Sequence, residues 1–225
     1  RLAVSAQHYA FSVQAFINVV EACDDEKFEF TMRETTTAQI IDDVRAFRSE
    51  VGILYLDDFN RRVLEKAFAD ARVSFHPLFN ARVHVFVSEN HPLAAKPSIG
   101  LEDLAPYTRY SFEQGTSNSF YFSEEPLSYV PCARNIRMSD RGTLTNLLTT
   151  SNGYALSTGV LSAEMQSGMA SIPLKEDAHM LVGYIVHDER RPTPILTQYL
   201  SELRRIIADA DRNGAVLIAE DGAGV

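Results

Sequence analysis

The sequence predicts an α/β fold built from two sheet-and-helix units. Three observations predict it. Strand and helix patterns alternate from the start of the chain to Ala71, which implies a parallel sheet with right-handed crossovers. Two strands then run nearly end to end from Val73 to Ser88, without a helix between them. A late strand, Met180–His187, and the helix after it suit a return to the first unit.

The first unit opens with a strand, a tight polar turn and a helix. Leu2–Val4 is a short apolar run. From about Phe11 the apolar residues recur at the i, i+3, i+4 and i+7 spacing of one helical stripe, namely Val13, Phe16, Ile17 and Val20. Such a junction presents backbone N–H groups and the positive helix end at the carboxyl edge of a sheet, where small ligands bind in open α/β folds.

Two more strand–helix pairs follow. Lys27–Arg33 alternates between apolar and polar residues, and Val51–Leu56 is apolar on both faces, as a central parallel strand is. Thr36 and Gln39 fit a capping box that begins the second helix. Asn60 can cap the third helix.

The second unit carries shorter elements. Val73–Phe79 and Arg82–Ser88 suit a chain that leaves one sheet and enters another. The elements predicted after them are helix Leu101–Leu104, strand Tyr107–Phe112, helix Phe120–Pro126, strand Asn135–Met138, a helix capped by Asp140, strand Tyr154–Ser157 and helix Val160–Gln166. Gly153 is expected to end the Asp140 helix in the left-handed conformation.

The chain is therefore expected to divide into a discontinuous first subdomain and an inserted second one. Residues 1–80 and 174–209 form the first, 81–173 the second, and 210–225 a C-terminal tail. Thr193 and Pro194 cap and begin the last helix.

Composition excludes some partners. A net charge of −9 without clustered Lys and Arg is unlike a nucleic-acid interface. No apolar run approaches the roughly 20 residues of a membrane helix, and no signal peptide is visible. Cys23 and Cys132 lack metal or redox spacing and indicate reduced thiols in the cytoplasm, although a redox switch between them stays open.

No catalytic motif is visible. The sequence contains no nucleophile elbow, P-loop, HExxH or dinucleotide-binding glycine pattern. Adjacent carboxylates such as Asp57 and Asp58 lie at predicted turns and are interpreted as solvated. The histidines show no paired metal-ligand spacing. We therefore expect no enzyme activity, no metal and no cofactor.

Several segments in this order carry a family resemblance: VGILYL, PLF…VHVFVSENHPLA, SIGLEDLAPY, TNLLTTSNGYALST and RRPTPILTQYLSELRRI. Over about residues 1–209 the chain resembles the effector-binding (substrate-binding) domain of LysR-type bacterial transcriptional regulators. The resemblance implies the type II periplasmic-binding-protein fold, in which two Rossmann-like subdomains are joined by two crossover strands around a ligand cleft.

The resemblance also implies partners. Family members bind DNA through an N-terminal winged helix-turn-helix, which these residues lack, so a longer natural protein is expected. It further implies a homodimer, or a tetramer in the full-length protein. A second, smaller apolar face of helix one, formed by Ala15, Val19 and Ala22, fits dimerisation.

The expected effector site lies at the carboxyl ends of strands. Its predicted residues are Ser5, Ala6, Gln7, His8, Tyr9, Thr35, Thr36, Gln114, Gly115, Thr116, Ser139, Ser157 and Thr158. Neutral hydrogen-bonding side chains at helix starts suit a small anion or carboxylate. Capping remains an alternative role for Thr36 and Ser139, and simple packing one for His8.

The sequence-based conclusion is a ligand-sensing and dimerisation domain of a LysR-type regulator that binds a small metabolite. The alternative is an extracytoplasmic solute-binding protein of the same fold. A helix-turn-helix or a signal peptide encoded before Arg1 would separate the two.

Overall fold

The larger sheet has five strands and forms the first unit. A computed structural model describes residues 1–117, 119–160 and 167–212. The strands are β1 (Leu2–Ala6), β2 (Phe30–Glu34), β3 (Val51–Leu56), β4 (Val73–Arg82) and β10 (His179–His187), in the order β2-β1-β3-β10-β4. β1 pairs in parallel with β2 and β3, whereas β10 runs antiparallel between β3 and β4. The helices of this unit are α1 (Ala10–Glu21), α2 (Thr37–Arg45), α3 (Arg61–Ala71) and α6 (Pro194–Arg212).

The second unit contains two small sheets. β5 (His84–Ser88) lies between β8 (Ala155–Ser157) and β9 (Met169–Pro173), antiparallel to both, and β6 (Arg109–Phe112) pairs in parallel with β7 (Asn135–Met138). Its helices are α4 (Leu101–Leu104), α5 (Arg141–Thr150) and a 3₁₀ turn at Phe120–Phe122. The chain passes between the units twice, from β4 into β5 and from β9 into β10. This is the predicted α/β architecture with two crossover segments.

Two helix starts follow the local sequence signals, whereas the predicted cap at Asn60 is wrong: Asn60 precedes α3, but its amide oxygen accepts from the Asp57 N–H at 2.8 Å and caps no helical N–H. The Thr36 hydroxyl accepts a hydrogen bond from the Gln39 N–H at 3.3 Å and so caps α2. The Asp140 carboxylate accepts from the Thr143 N–H at 2.8 Å at the start of α5. Each cap satisfies a backbone N–H group in the first turn of its helix, which has no partner within the helix.

Helix α1 turns a different face inward from the one predicted for it. Ala15 and Val19, expected to meet a second chain, are fully buried, while Ile17 of the longer stripe is 37% exposed. The physical reason is α6, which packs along the alanine side, where small side chains allow close approach. A buried hydrogen bond of 2.8 Å between the Ser12 and Tyr199 hydroxyls joins the two helices.

Gly153 also differs from its prediction. It does not have a positive φ, and the helix before it ends in extended backbone at Ser151. A Cβ on Gly153 would lie 2.1 Å from the ring of Tyr110. A close approach between segments therefore explains this glycine better than a helix terminator does.

Some element limits differ as well. Strand β9 was not predicted, β6 begins at Arg109 instead of Tyr107, and α6 continues to Arg212. The predicted helix Val160–Gln166, apart from Val160, and residues 213–225 of the predicted tail lie outside the described residues. In the described part of the chain, no helix combines the length and apolarity that crossing a membrane requires.

Candidate functional site

Gln7 organises the turn between β1 and α1. Its side chain is fully buried, and its amide nitrogen donates to the Thr37 hydroxyl at 2.8 Å. Its amide oxygen accepts from the Tyr9 hydroxyl at 2.9 Å and from the Tyr55 backbone N–H at 3.2 Å. One side chain thus holds the end of β1 against the start of α2 and against β3.

Ser5 supports the same turn from within the first unit. Its hydroxyl donates to the Asp43 carboxylate at 2.7 Å and lies 2.8 Å from the Ser49 hydroxyl. Burial alone would raise the pKa of Asp43, but hydrogen bonds from Ser5, Gln39 and Arg48 outweigh burial and lower it. Asp43 is therefore a buried carboxylate that its donors keep ionised.

His8 carries the main contact between the two units. Its ring stacks on Phe112 with centroids 3.8 Å apart and planes 4° from parallel. The Glu124 carboxylate oxygen Oε1 lies 2.8 Å from the ring nitrogen Nδ1 and accepts from the His8 backbone N–H at 2.9 Å. The backbone of Ser139 also lies near the ring and helps to raise its pKa.

The surroundings of His8 favour its protonated form. Burial lowers the pKa of His8, but the hydrogen bond and negative charge of Glu124, together with the charge of Glu34 and the Ser139 backbone, raise it overall. The side chains of His8 and Glu124 are only 5% and 4% exposed. The contact is accordingly a buried ion pair in which each charge requires the other.

Gln114 makes a second contact between the units. Its amide oxygen accepts from the backbone N–H of Thr37, the first residue of α2, at 3.0 Å. Its amide nitrogen donates to Glu124 Oε2 at 3.2 Å. The N-terminal ends of α1 and α2 thus both receive acceptors from one segment of the second unit.

An ion pair beside this contact region also joins the two units. Arg141, at the start of α5, meets Glu34 at the end of β2. The Asp140 carboxylate lies beside them. Hydrogen bonds from Thr143 are the main cause that lowers the pKa of Asp140, and the positive charge of His8 lowers it further. The region around His8 therefore holds acidic groups from both units.

Little space remains between the described residues around His8. Two cavities of about 60 and 50 Å³ lie beside His8, and Tyr9 and Ser157 line both of them. Sites for metabolites usually have about 300–1,000 Å³. In this conformation the cleft at His8 is too small for such a ligand.

A larger cavity of about 400 Å³ lies beyond the end of β3. Asp57, Asp58 and Asp177 line it together with the rings of Phe59 and Tyr129. Burial raises the pKa of Asp57. The three carboxylates outnumber the one guanidinium of Arg61 in the lining and disfavour an anion, although the cavity has the size of a ligand site and lies between residues of both units.

The structure brings some of the predicted site residues together and separates others. Those at or around the His8–Glu124 contact are His8, Tyr9, Gln114, Ser139 and Ser157. Gln7 lies directly behind them. Residues from distant segments of both units thus lie together around His8, and their role in binding an effector stays a prediction.

The remaining predicted residues lie away from that contact. Ala6 is in the core, Thr35 N–H donates to the Ala6 carbonyl, Thr36 caps α2, and Thr158 accepts from the Val160 N–H at 3.1 Å. Gly115 and Thr116 are exposed, and Gly115 lines a separate cavity of about 190 Å³ within the second unit.

Sequence reasoning missed Glu124 and Phe112 as site residues. Phe112 was assigned only to a strand, and Glu124 fell inside a predicted short helix. The one available signal was the adjacent acidic pair Glu124 and Glu125 between Phe122 and Pro126. Burial and the charge of Glu124 raise the pKa of Glu125 well above its usual range.

The described residues contain no group of three or more His, Cys, Asp or Glu that could hold a metal ion. Cys23 is half-buried and Cys132 exposed, and both are free thiols.

One family of known proteins matches the chain. The family described as the LysR substrate binding domain matches residues 25–207. No curated protein sequence matches the chain.

Solved structures share its fold. The effector-binding domain of QuiR in complex with shikimate is 16% identical, with a TM-score of 0.60 over 91% of this chain and 95% of that one. The reduced OxyR regulatory domain from Pseudomonas aeruginosa is 17% identical, with a TM-score of 0.64 over 92% and 95%. HinK, a LysR family transcriptional regulator from Pseudomonas aeruginosa, is 14% identical, with a TM-score of 0.61 over 91% of this chain and 69% of that one.

Proposed function

The chain belongs to the LysR substrate-binding domain family and has its type II periplasmic-binding-protein-like fold, and on that premise we propose that it is the effector-sensing domain of a DNA-binding transcriptional regulator. The observation that carries the proposal is the meeting of the two units at His8, where the starts of α1 and α2 face the segment that contains Gln114 and Glu124. The regulator acts in the cytoplasm, and its DNA contacts come from an N-terminal domain of the family's usual kind. The domain itself performs no catalysis.

The proposed effector is a small anion, most simply a carboxylate. Three donors of the first unit face the second: the His8 backbone N–H and the His8 ring, both on Glu124, and the Thr37 N–H on Gln114. Oriented donors near helix starts favour negative charge. The QuiR domain binds shikimate, which is itself a hydroxylated carboxylate.

The proposed signal is a change in how the two units sit relative to each other. The contacts of His8, Gln114 and Arg141 with the opposite unit hold the closed arrangement. A ligand shifts such an equilibrium only by binding one arrangement more tightly than the other. Because the cavities at His8 are too small for a metabolite, a ligand bound there requires a more open arrangement.

A second copy of the chain is the proposed dimer partner. Its contact surface is the outward face of α1 together with the edge strand β2, where Phe16 packs edge-to-face against Phe30 and Phe28 stacks on Phe30. Ile17 and Phe28 are 37% and 52% exposed on this surface. Ala15 and Val19 are excluded from it because they face the chain's own core.

A thermal-shift panel tests the effector class. Acetate, succinate and shikimate are added as sodium salts, with sodium chloride at equal ionic strength and methylammonium chloride as the cationic comparison. A carboxylate at about 100 times its dissociation constant should stabilise the fold by about 2.7 kcal/mol. Stabilisation by methylammonium alone would contradict the anionic site.

Sedimentation of two matched variants tests the dimer. Ile17→Glu should shift the chain to monomer, whereas Ile136→Glu, at an equally exposed isoleucine on β7, should leave its mass unchanged. A wild-type chain that is monomeric at high concentration, or a dimer that survives Ile17→Glu, would rule out this surface.

A further inference from the structure

Glu124 occupies the place that the proposed effector would take. Its carboxylate accepts hydrogen bonds at 2.9 Å from the His8 N–H and at 3.2 Å from the Gln114 amide, and it pairs with the His8 ring at 2.8 Å. The residue is 6% exposed. Every donor that it uses belongs to the site at the β1–α1 turn or to the facing Gln114 segment.

Glu124 contacts the opposite unit through His8 as well as its own unit through Gln114. It follows the 3₁₀ turn of the second unit and reaches His8, 116 residues away in sequence, on the first unit. Its neighbour Glu125 is equally buried, but that carboxylate accepts from the Phe112 N–H at 2.7 Å inside the second unit. Two adjacent glutamates thus serve different purposes, one across the cleft and one behind it.

We propose that the Glu124 carboxylate is an intramolecular ligand of the effector site and that the effector is a carboxylate that displaces it. The inference rests on the proposed function, since it concerns the same cleft. When the Glu124 carboxylate is bound to His8 and Gln114, it occupies their donors and the two units stay together. When an external carboxylate takes its donors, Glu124 and Gln114 release the starts of α1 and α2, and the units separate.

Displacement explains the small cavities beside His8. A free carboxylate finds no space there until Glu124 leaves, because the cavities of about 60 and 50 Å³ flank a position that is already filled. A neutral or cationic molecule that displaced Glu124 would break the His8–Glu124 ion pair without forming a new ion pair with His8. Competition with Glu124 therefore selects for negative charge as well as for size.

The test compares binding of succinate to the wild-type chain and to Glu124→Ala, with Glu125→Ala as the matched control. Binding is measured from the NMR shift of the His8 backbone amide as sodium succinate is titrated at constant ionic strength. Because a hydrogen bond to a charged group changes an equilibrium by roughly tenfold or more, Glu124→Ala should bind succinate at least about tenfold more tightly than wild type. Glu125→Ala should bind succinate as wild type does, since its carboxylate does not compete for His8.

Glu124→Gln is the second variant, for the case that truncation prevents folding. It keeps the shape of the side chain and an acceptor oxygen but loses the charge, so its affinity for succinate should lie between those of wild type and Glu124→Ala. Its His8 ring should also titrate at a lower pH than that of wild type, because Glu124, Glu34 and Asp140 are the acidic groups around that ring and one of them is neutralised.

The outcomes separate the two proposals. Equal succinate affinity in wild type and in the Glu124 variants overturns displacement, while the carboxylate site stands. An equal gain in succinate affinity in Glu125→Ala also overturns displacement, because succinate could then simply occupy the space that any truncated glutamate leaves. If no variant binds succinate, acetate or shikimate, the anionic effector itself is wrong.

Discussion

Removing the Ser5 hydroxyl tests whether Ser5 stabilises the turn before α1 through Asp43 or contacts the effector directly. Ser5 and Asp43 are 0% and 2% exposed, and the hydroxyl donates to the Asp43 carboxylate at 2.7 Å. In Ser5→Ala that carboxylate keeps Gln39 and Arg48 but loses its most buried donor. A lost hydrogen bond to a buried charged group costs about 1.5–3 kcal/mol.

The measurement is urea unfolding at neutral pH, followed by circular dichroism. Ser111→Ala is the control, because its hydroxyl bonds Asn135 at an exposed position, where a substitution changes stability by less than about 0.5 kcal/mol. Succinate affinity should be unchanged in Ser5→Ala. Equal stability of the two variants would refute the structural role, and a tenfold loss of affinity in a fully stable Ser5→Ala would place Ser5 in contact with the effector.

Acid titration provides a second check with a defined sign. The pKa of Asp43 is lowered in the fold, so its stabilising contribution is present above the unfolded value of about 3.9 and is lost as pH falls through the folded value. Without Ser5 the folded pKa should rise toward the ordinary value. The stability difference between wild type and Ser5→Ala should therefore shrink as the pH is lowered below about 4.

Three further outcomes are expected. Thr36→Ala removes the cap of α2 and should cost about 1 kcal/mol in urea unfolding, with little change in fold. Tyr199→Phe removes the buried hydroxyl contact with Ser12 that joins α1 to α6 and should cost about 1–2 kcal/mol, so an unchanged unfolding midpoint would exclude that contact. Because the pKa of His8 is raised in the fold, the stabilisation from its pairing with Glu124 is fully present below the unfolded pKa of about 6.5 and is lost as the pH rises through the folded pKa. A melting temperature that does not decline over this pH range would contradict the ion pair.

Local signals predicted the first unit well because short-range physics decides its elements. The Thr36 side chain caps α2 where expected, although the Gln39 side chain donates to Asp43 and does not complete the predicted capping box. Val51–Leu56 is the central strand β3, buried along its whole length. Apolarity on both faces indicates a strand covered on both sides, whatever covers it. Such features depend on residues within a few positions of one another.

The face of α1 and the role of Gly153 could not be predicted in that way. Which side of α1 is buried depends on α6, about 180 residues later, whose Tyr199 bonds Ser12. Gly153 is needed because the Tyr110 ring approaches it, a contact that no helix-ending rule contains. In both cases a distant segment decides what a local pattern leaves open.

The candidate site likewise has features that the sequence predicted and features that only the tertiary structure shows. From the sequence alone came the α/β fold, the family resemblance and the strand-turn-helix at Gln7 and His8, because hydrophobic periodicity and capping chemistry are written in neighbouring residues. Only the tertiary structure decided that Glu124 contacts His8 and that the Ser5 side chain faces inward toward Asp43. The reason is that a carboxylate finds its partner through space, and the burial that makes this ion pair matter exists only once both units have folded.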